Sequence, residues 1–291
     1  MSTTSLADES CADVLCVRGR EFAWGTRTFL MAIINVTPDS FSGDGLGGDP
    51  AAAAALARQM ETEGADMLDI GAESSRPGAA EMDPAAELEL LLPSLRAVRA
   101  ATSLPLSVDT YHASVADAAV RAGADIINDI HGLRRDPLMA HVAARLGAPV
   151  VAMHNQRGRP FSDVVADVHA GFEATIAIAR EAGISDGHLI LDPGFGFGWT
   201  PEQNLEVVRR LRELRLGRYP LLLGPSRKST IGFVLGTPVD ERLEGTAALV
   251  ALAIANGADI VRVHDMREMR RVVRVADAVV RDNWRYHPET K

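Results

Sequence analysis

Residues 112–130 read HASVADAAVRAGADIINDI and contain one complete repeat of the pattern that decides the fold. Segment 112–122 places small and apolar side chains at helical spacing, and the run that follows, 125–130, is apolar and rich in isoleucine. Gly123 stands between them, where a glycine can end a helix in the left-handed conformation so that a strand begins at once. The stretch therefore predicts a helix that passes directly into a buried strand.

The same unit recurs along the chain. Gly64, Gly147 and Gly257 are each followed by alanine, as Gly123 is, and each precedes another apolar run. Short apolar runs predict eight strands, over 29–36, 66–71, 104–109, 125–130, 149–153, 188–191, 220–224 and 259–263. Amphipathic segments predict helices over 50–63, 84–101, 112–122, 137–146, 163–182, 201–214, 242–256 and 268–282.

Eight buried strands that alternate with helices predict an α/β fold, a (β/α)8 TIM barrel. An open doubly wound sheet is the alternative, but its G-x-G-x-x-G fingerprint is missing, since residues 194–198 (GFGFG) follow the sixth run. Residues 14–28 alternate around Arg18 and predict a short N-terminal β-hairpin. We therefore expect a flexible N-terminal tail over 1–12, one barrel with its hairpin over 13–282, and a C-terminal tail over 283–291.

Composition excludes several classes of protein. The chain is 47% hydrophobic and 24% charged, which is typical of a globular protein and not of a disordered one. A formal net charge of −9 argues against a nucleic-acid partner. No signal peptide is evident over 1–10, and no apolar run approaches the roughly 18 residues of a membrane helix. We expect a cytoplasmic protein with no membrane partner, in which Cys11 and Cys16 are reduced thiols.

Polar side chains follow every predicted strand, at the end where TIM barrels carry their active sites. The groups that are cationic, or can become so, are Arg76, Lys228, Arg262 and His264. The carboxylates and amides are Asp109, Asp192, Asn128 and Asn35. Cations suit a phosphate, and a carboxylate can accept two N–H groups of a heterocycle edge. The two sets together predict a site for a flat heterocycle that carries a phosphate or diphosphate arm.

The strand ends also resemble the motifs of the dihydropteroate synthase family. Residues 31–42 (MAIINVTPDSFS) resemble the first family signature and residues 69–78 (DIGAESSRPG) the second. Segments 107–110, 127–129, 191–197, 226–232 and 262–265 resemble the remaining elements in order, so that the likeness covers roughly residues 28 to 282. It implies a TIM barrel, usually a homodimer, that is a target of sulfonamides. Such enzymes join p-aminobenzoate to 6-hydroxymethyl-7,8-dihydropterin diphosphate and release pyrophosphate, with Mg²⁺.

The resemblance also implies a role for each matching residue. The pterin would bind Asp109, Asn128, Asp192, Lys228 and Arg262. The pyrophosphate would bind Asn35, Arg262, His264, Arg76 and Asp39, with Mg²⁺ at Asn35. The aminobenzoate would lie against Phe41, Ser75, Pro77, Phe197, Lys228 and Ser229. The catalytic groups would be Lys228, Asp109, Asp192 and Arg262.

Some positions depart from the family pattern, and two other functions stay open. Ala72 stands where glycine is usual, and Trp199 stands where lysine is usual.

A pterin-binding domain that hands on a methyl-folate is one alternative function, but it does not need the Lys228 and His264 apparatus. A catalytically silent paralogue is the other. We expect His154 to be a core residue, and Val272, Val275, Val279 and Val280 to form the inward face of the last helix.

Overall fold

The computed structural model describes residues 14–37, 45–73 and 81–285. Its first element is an antiparallel hairpin of β1 (Val14–Val17) and β2 (Arg20–Ala23). Arg18 and Gly19, which join the two strands, both have positive φ, of 50° and 72°. Two such residues form the tight turn that matches the twist of a hairpin, so the hairpin predicted ahead of the barrel is present.

Eight parallel strands form the barrel. They are β3 (Phe29–Asn35), β4 (Met67–Gly71), β5 (Leu106–Asp109), β6 (Ile126–Asp129), β7 (Val150–Met153), β8 (Leu189–Asp192), β9 (Leu222–Leu223) and β10 (Ile260–Val263). Their order in the sheet is β8-β7-β6-β5-β4-β3-β10-β9. A parallel bridge between Leu191 and Leu221 joins its two ends and closes the ring. The predicted (β/α)8 barrel is confirmed.

Nine α-helices connect the described strands. They are α1 (Pro50–Glu63), α2 (Pro84–Ala101), α3 (Ala113–Arg121), α4 (Met139–Leu146), α5 (Val164–Ala182), α6 (Pro201–Arg209), α7 (Ser229–Leu235), α8 (Leu243–Ala255) and α9 (Met266–Val280). The short α7 was not among the predicted helices, because its β-branched and glycine residues have low helix propensity. Among the described helices, none is both long and apolar enough to cross a membrane.

The hairpin closes one end of the barrel. Met67, Ile126, Ile190 and Ile260 lie in one buried cluster with the hairpin residues Leu15, Val17 and Phe22. The neighbouring strand residues, such as Leu68 and Ile127, belong instead to the cluster that includes the helices. Side chains alternate across a strand, so the first set fills the barrel interior at its N-terminal end. The interior of the opposite, C-terminal end contains the polar residues of the candidate active site.

The inward face of α9 differs from the prediction. Met269, Val273 and Asp277 are buried, whereas Val275 is 68% exposed and Val279 is 79% exposed. Asp277 accepts hydrogen bonds from the backbone N–H of Thr28 at 2.8 Å and from its hydroxyl at 2.7 Å. The prediction that Val275, Val279 and Val280 point inward is therefore wrong, whereas Val272 is partly buried against the core. The inward Asp277, which binds Thr28 at the start of β3, sets the face of this helix.

Candidate active site

The alternation of side chains along the strands places the site residues in the barrel interior, in the layer next to the end that the hairpin closes. Four polar residues each stand two positions after a strand residue of the buried hairpin cluster. They are Asp69, Asn128, Asp192 and Arg262. Residues two apart on a strand point to the same side. These four side chains therefore project into the barrel interior near its C-terminal end, where TIM barrels perform their chemistry.

Arg262 stands at the centre of this group. Its Nε donates to Oδ2 of Asp69 at 2.6 Å, and its Nη2 donates to Oδ2 of Asp109 at 3.0 Å. Asn128 donates from Nδ2 to the same oxygen of Asp69 at 3.0 Å. The guanidinium is thus held between carboxylates from two different strands, in a fixed orientation.

Burial changes the acid–base behaviour of these groups. It raises the pKa of Asp109 to about 7, helped by the negative charge of Asp69 and opposed by Arg262. Burial also raises the pKa of Asp192, against the nearby charge of Lys228. For Arg262, burial acts to lower the pKa, but Asp69 and Asp109 raise it overall. Arg262 is therefore a permanent cation, whereas Asp109 can exchange a proton near neutral pH.

Lys228 reaches into the site from the residues that precede α7. Its Nζ donates to the backbone carbonyl of Phe195 and lies 4.5 Å from the ring centroid of Phe197. Burial lowers its pKa to about 7, and the charge of Asp192 opposes this shift. An ammonium group on an aromatic face, next to a carboxylate, is placed to act on a ligand with both charged and planar parts.

The segment that presents the Phe195 carbonyl is held by a buried amide. Asn204, on α6, accepts from the backbone N–H of Gly196 at 2.6 Å and donates to the carbonyl of Trp199 at 3.3 Å. Gly196 has a φ of +84°, and a Cβ there would lie 2.7 Å from Cδ of Lys228. Glycine is therefore required at this position, both for its backbone conformation and for the close approach of the lysine.

Trp199 supports the same segment from behind. Its indole N–H donates to the carbonyl of Pro193 at 3.2 Å, and its ring centroid lies 5.6 Å from that of His154. His154 is buried, and its Nε2 is 2.8 Å from Oε1 of Gln156. The burial agrees with the prediction of a core position for His154. Trp199 is itself buried and acts as a packing residue behind this segment.

His264 lies just beyond β10, next to Arg262. Its Nδ1 is 3.0 Å from the hydroxyl oxygen of Ser226, which also accepts from the His264 backbone N–H at 3.2 Å. Beside it, Arg227 has a φ of +58° and donates to both oxygens of Asp265, at 3.1 Å and 2.5 Å. This ion pair holds the backbone that precedes Lys228 in an uncommon conformation for a side chain of that size.

A cavity of about 910 Å³ opens at this end of the barrel. Its wall includes Asp109, Tyr111, Gly196 and Ser229. The volume is of the size that holds a drug-sized organic ligand. The cavity therefore connects the partly buried Asp109 carboxylate with the start of α7.

The structure brings most of the predicted residues to this one end. Asp109, Asn128 and Arg262 form one group, and Lys228 joins Phe197 with Asp192 nearby. Asn35 lies at the tip of β3, and Ser229 begins α7. The remaining predicted residues, Asp39, Phe41, Ser75, Arg76 and Pro77, lie outside the described residues.

Asp69 was missing from the predicted site, although it belongs to the central group. It stands in the middle of β4 and is the first residue of the second motif, but no role was predicted for it from the sequence. The signal that could have found it is an aspartate within an otherwise apolar strand, because an ionised carboxylate is rarely buried without a partner.

Comparison with known proteins points to one family. Residues 31–264 match the family model described as pterin binding enzyme. The dihydropteroate synthase of Clostridium beijerinckii is 42% identical over 266 residues, which cover 91% of this chain and 99% of that protein. The dihydropteroate synthase of Escherichia coli K12 is 40% identical over 280 residues, with the same two coverages.

Solved structures agree with these relatives. A dihydropteroate synthase from Clostridium difficile, crystallised in the presence of pteroic acid, has a TM-score of 0.85 and 44% identity, over 89% of this chain and 99% of that one. A Xanthomonas albilineans dihydropteroate synthase with 4-aminobenzoic acid has a TM-score of 0.85 and 41% identity, over 92% of this chain and 98% of that one.

Proposed function

This chain belongs to the dihydropteroate synthase family of pterin-binding enzymes, and from that membership we propose the reaction that its site performs. It is a transferase of folate synthesis that joins p-aminobenzoate to 6-hydroxymethyl-7,8-dihydropterin diphosphate. The C–O bond to the diphosphate breaks, and a C–N bond to the arylamine forms. The products are 7,8-dihydropteroate, pyrophosphate and one proton. The observation that carries the proposal is the convergence of Arg262, Asp109 and Lys228 at one end of a pterin-binding barrel.

The pterin lies in the barrel mouth, with its N–H edge on carboxylates and amides. Asp109 and Asp192 accept N–H groups of the ring, and Asn128 can both donate and accept. Lys228 and Arg262 complete the pocket with donors. The burial of Asp192 and the partial burial of Asp109 support this role, because an N–H edge replaces the water that these carboxylates lose.

Departure of pyrophosphate leads the reaction, and attack by the arylamine follows. An arylamine is a weak nucleophile, so the leaving group must depart readily. Arg262 and His264 lie next to each other on β10 and its extension, and they stabilise the charge that grows on the leaving oxygens. Asp109 and Asp192 stabilise the positive charge that develops on the pterin methylene group. Lys228, Phe197 and Ser229 border the attacking aminobenzoate.

A Mg²⁺ ion fits this site as a ligand shared with the substrate. Mg²⁺ keeps several waters and takes few protein oxygens together with substrate phosphates. Asn35 offers one amide oxygen at the tip of β3, and β3 pairs with β10, whose end leads to His264. When bound there, Mg²⁺ supplies further charge neutralisation for the departing pyrophosphate. Arg76 and Asp39 remain proposed pyrophosphate ligands, and Phe41, Ser75 and Pro77 remain proposed aminobenzoate contacts.

The synthase function is favoured over both alternative functions. A methyl-folate-binding domain needs a pterin pocket alone, whereas this chain also carries His264, a proposed pyrophosphate ligand, just beyond β10. The presence of every motif group in this chain argues against a silent paralogue. Relatives that are at least 40% identical over nine-tenths of the chain are dihydropteroate synthases.

The proposed function predicts strict coupling of the two substrates. Purified protein with the pterin diphosphate and Mg²⁺ should release pyrophosphate only when p-aminobenzoate is added, because amine attack removes the reactive pterin cation. An enzyme-coupled pyrophosphate assay measures this, and the product is identified by mass spectrometry. A sulfonamide should lower the rate by competing with p-aminobenzoate. Release no faster than in a control without enzyme would refute the function.

We also propose that the protein is a homodimer. Helices α8 and α9 leave an exposed apolar groove, lined by Ala251, Ala255, Val272, Val275, Ala276, Val279 and Val280. Exposed apolar patches of this kind mark interfaces, and a twofold axis lets the same face serve both partners. The second copy is the proposed occupant, in keeping with the family.

The dimer proposal predicts that glutamates introduced into this groove lower the mass of the protein in solution from that of a dimer to that of a monomer. The double variant Val275→Glu, Val279→Glu should elute as a monomer, while the wild-type chain elutes as a dimer. Light scattering after size exclusion measures the mass. Leu138→Glu, at an equally exposed apolar position before α4, is the control and should stay dimeric. A dimeric double variant would contradict the proposal.

The cytoplasm is the proposed compartment. Cys16 is exposed on β1 and forms no disulfide with another described residue. An exposed reduced thiol is typical of a reducing compartment, which supports this assignment.

A further inference from the structure

Asp69 is a buried carboxylate to which the proposed reaction assigns no role. Its side chain is 0% exposed, compared with 18% for Asp109 and 20% for Arg262. Oδ2 accepts from both Arg262 and Asn128, while Oδ1 has no hydrogen-bond partner among the described residues. A buried charge of this kind is costly unless a cation compensates it. Asp69 must therefore depend on Arg262.

Arg262 divides its donors unequally between its two carboxylates. The hydrogen bond to Asp69 is 2.6 Å long, and the one to Asp109 is 3.0 Å long. Asp69 lies in the middle of β4, below the mouth, and is closed to solvent, whereas Asp109 ends β5 and lines the cavity. A ligand in the cavity can thus reach Asp109, but Asp69 stays with Arg262 throughout.

We propose that Asp69 is the permanent counter-ion of Arg262, a positioning residue that orients the guanidinium and leaves the carboxylate oxygens of Asp109 available to the substrate. Without Asp69, the full positive charge of Arg262 would fall on Asp109. The Asp109 carboxylate would then be engaged in a full ion pair before the pterin arrived, because the guanidinium would turn toward it. The inference rests on the proposed function only in taking the pterin as the ligand of Asp109.

The electrostatic surroundings of Asp109 give this division of roles a measurable consequence. Asp69 from β4, Asp129 from β6 and Glu87 from α2 act to raise its pKa, in addition to burial, and Arg262 from β10 acts to lower it. Lys228 and Asp192 lie nearby and interact with each other. Removing the charge of Asp69 removes one raising influence and leaves Arg262 uncompensated. The pKa of Asp109 must then fall.

Asp69→Asn tests the proposal, because asparagine keeps an oxygen for Arg262 and Asn128 and removes only the charge. The pH profile of kcat/KM for the pterin diphosphate should move its acid limb to lower pH by about 1 unit, the size of shift that a neighbouring charge produces. A merely structural loss would lower the rate at every pH without moving the limb. An acid limb at the wild-type pH in the folded variant overturns the proposal.

Ser107→Ala is the matched control. Ser107 is fully buried, pairs with Asp69 across β4 and β5, and has a hydroxyl without a hydrogen-bond partner among the described residues. Its loss changes the packing of the same layer without changing charge. The control should keep the wild-type acid limb. A shift as large as that of Asp69→Asn would overturn the proposal, because it would attribute the effect to packing.

A second measurement covers the case in which Asp69→Asn does not fold. In a crystal structure of Asp109→Asn, Arg262 should keep Nε within hydrogen-bond distance of Asp69. A guanidinium that leaves Asp69 overturns the proposal. This measurement needs no turnover, so it tests Asp69 even if the wild-type chain released no pyrophosphate, a result that would count against the proposed function alone.

Discussion

Lys228→Ala is expected to lower kcat by about a hundredfold or more, the usual effect of removing one group that stabilises developing charge. Nζ of Lys228 lies on the Phe197 face and binds the carbonyl of Phe195. Its loss removes a cation from the place where the pterin and the aminobenzoate meet. Initial rates of pyrophosphate release, measured at saturating concentrations of both substrates, give kcat for the variant and the wild type.

The matched variant for this test is Lys228→Met, which keeps the length of the side chain and removes its charge. It should be as inactive as the alanine variant. Both should fold, because the free energy gained by no longer burying an amine offsets the loss of the charge beside Asp192. Circular dichroism checks the fold. Turnover near the wild-type rate in either folded variant would show that Lys228 is not a catalytic group.

Arg262→Ala is expected to abolish activity and also to destabilise the fold by about 3–5 kcal/mol, the cost of breaking a buried ion pair. Asp69 and Asp109 would be left facing each other without a cation. The folded-state pKa of Asp109, which burial already raises to about 7, would rise further without Arg262, so the penalty relative to wild type is larger where the wild-type carboxylate is ionised and smaller where it is protonated. Urea unfolding should therefore show a larger difference from wild type at pH 8 than at pH 5.

Arg262→Lys provides the control for charge. A lysine restores one positive charge but lacks the fork that reaches two carboxylates at once. We expect it to recover much of the stability and little of the activity. Equal losses of stability for Arg262→Ala at pH 5 and pH 8 would contradict the electrostatic account. Full activity of Arg262→Lys would contradict the role of the guanidinium geometry.

Much of the barrel could be predicted because its signals are local. Gly64, Gly123, Gly147 and Gly257 all have positive φ and stand where helices end, as their repeated context predicts. Period-two alternation also decides which residues of a strand face inward, and it places Asp192 and Arg262 in the mouth. The helix α7 was missed because it is short and its residues have low intrinsic helix propensity, so that tertiary packing stabilises it.

The misassigned face of α9 has a different cause. Hydrophobicity selects Val275 and Val279 for the core, but the structure buries Asp277, which binds Thr28 at the start of β3. The partner of Asp277 lies 249 residues away in the chain, so no window around α9 contains it. Because Asp277 points inward, helical geometry places Val275 and Val279 on the surface.

By itself the sequence determined the number and order of the strands, the end of the barrel that carries the chemistry, and most of the groups found there. These properties follow from burial and backbone periodicity, which act over a few residues. Only the tertiary structure decided which charges pair. Arg262 binds Asp69 and Asp109, which are 193 and 153 residues away in the chain, because closure of the barrel brings β10 close to β4 and β5. Charged groups pair according to their distance in space, and the order of residues along the chain does not specify that distance.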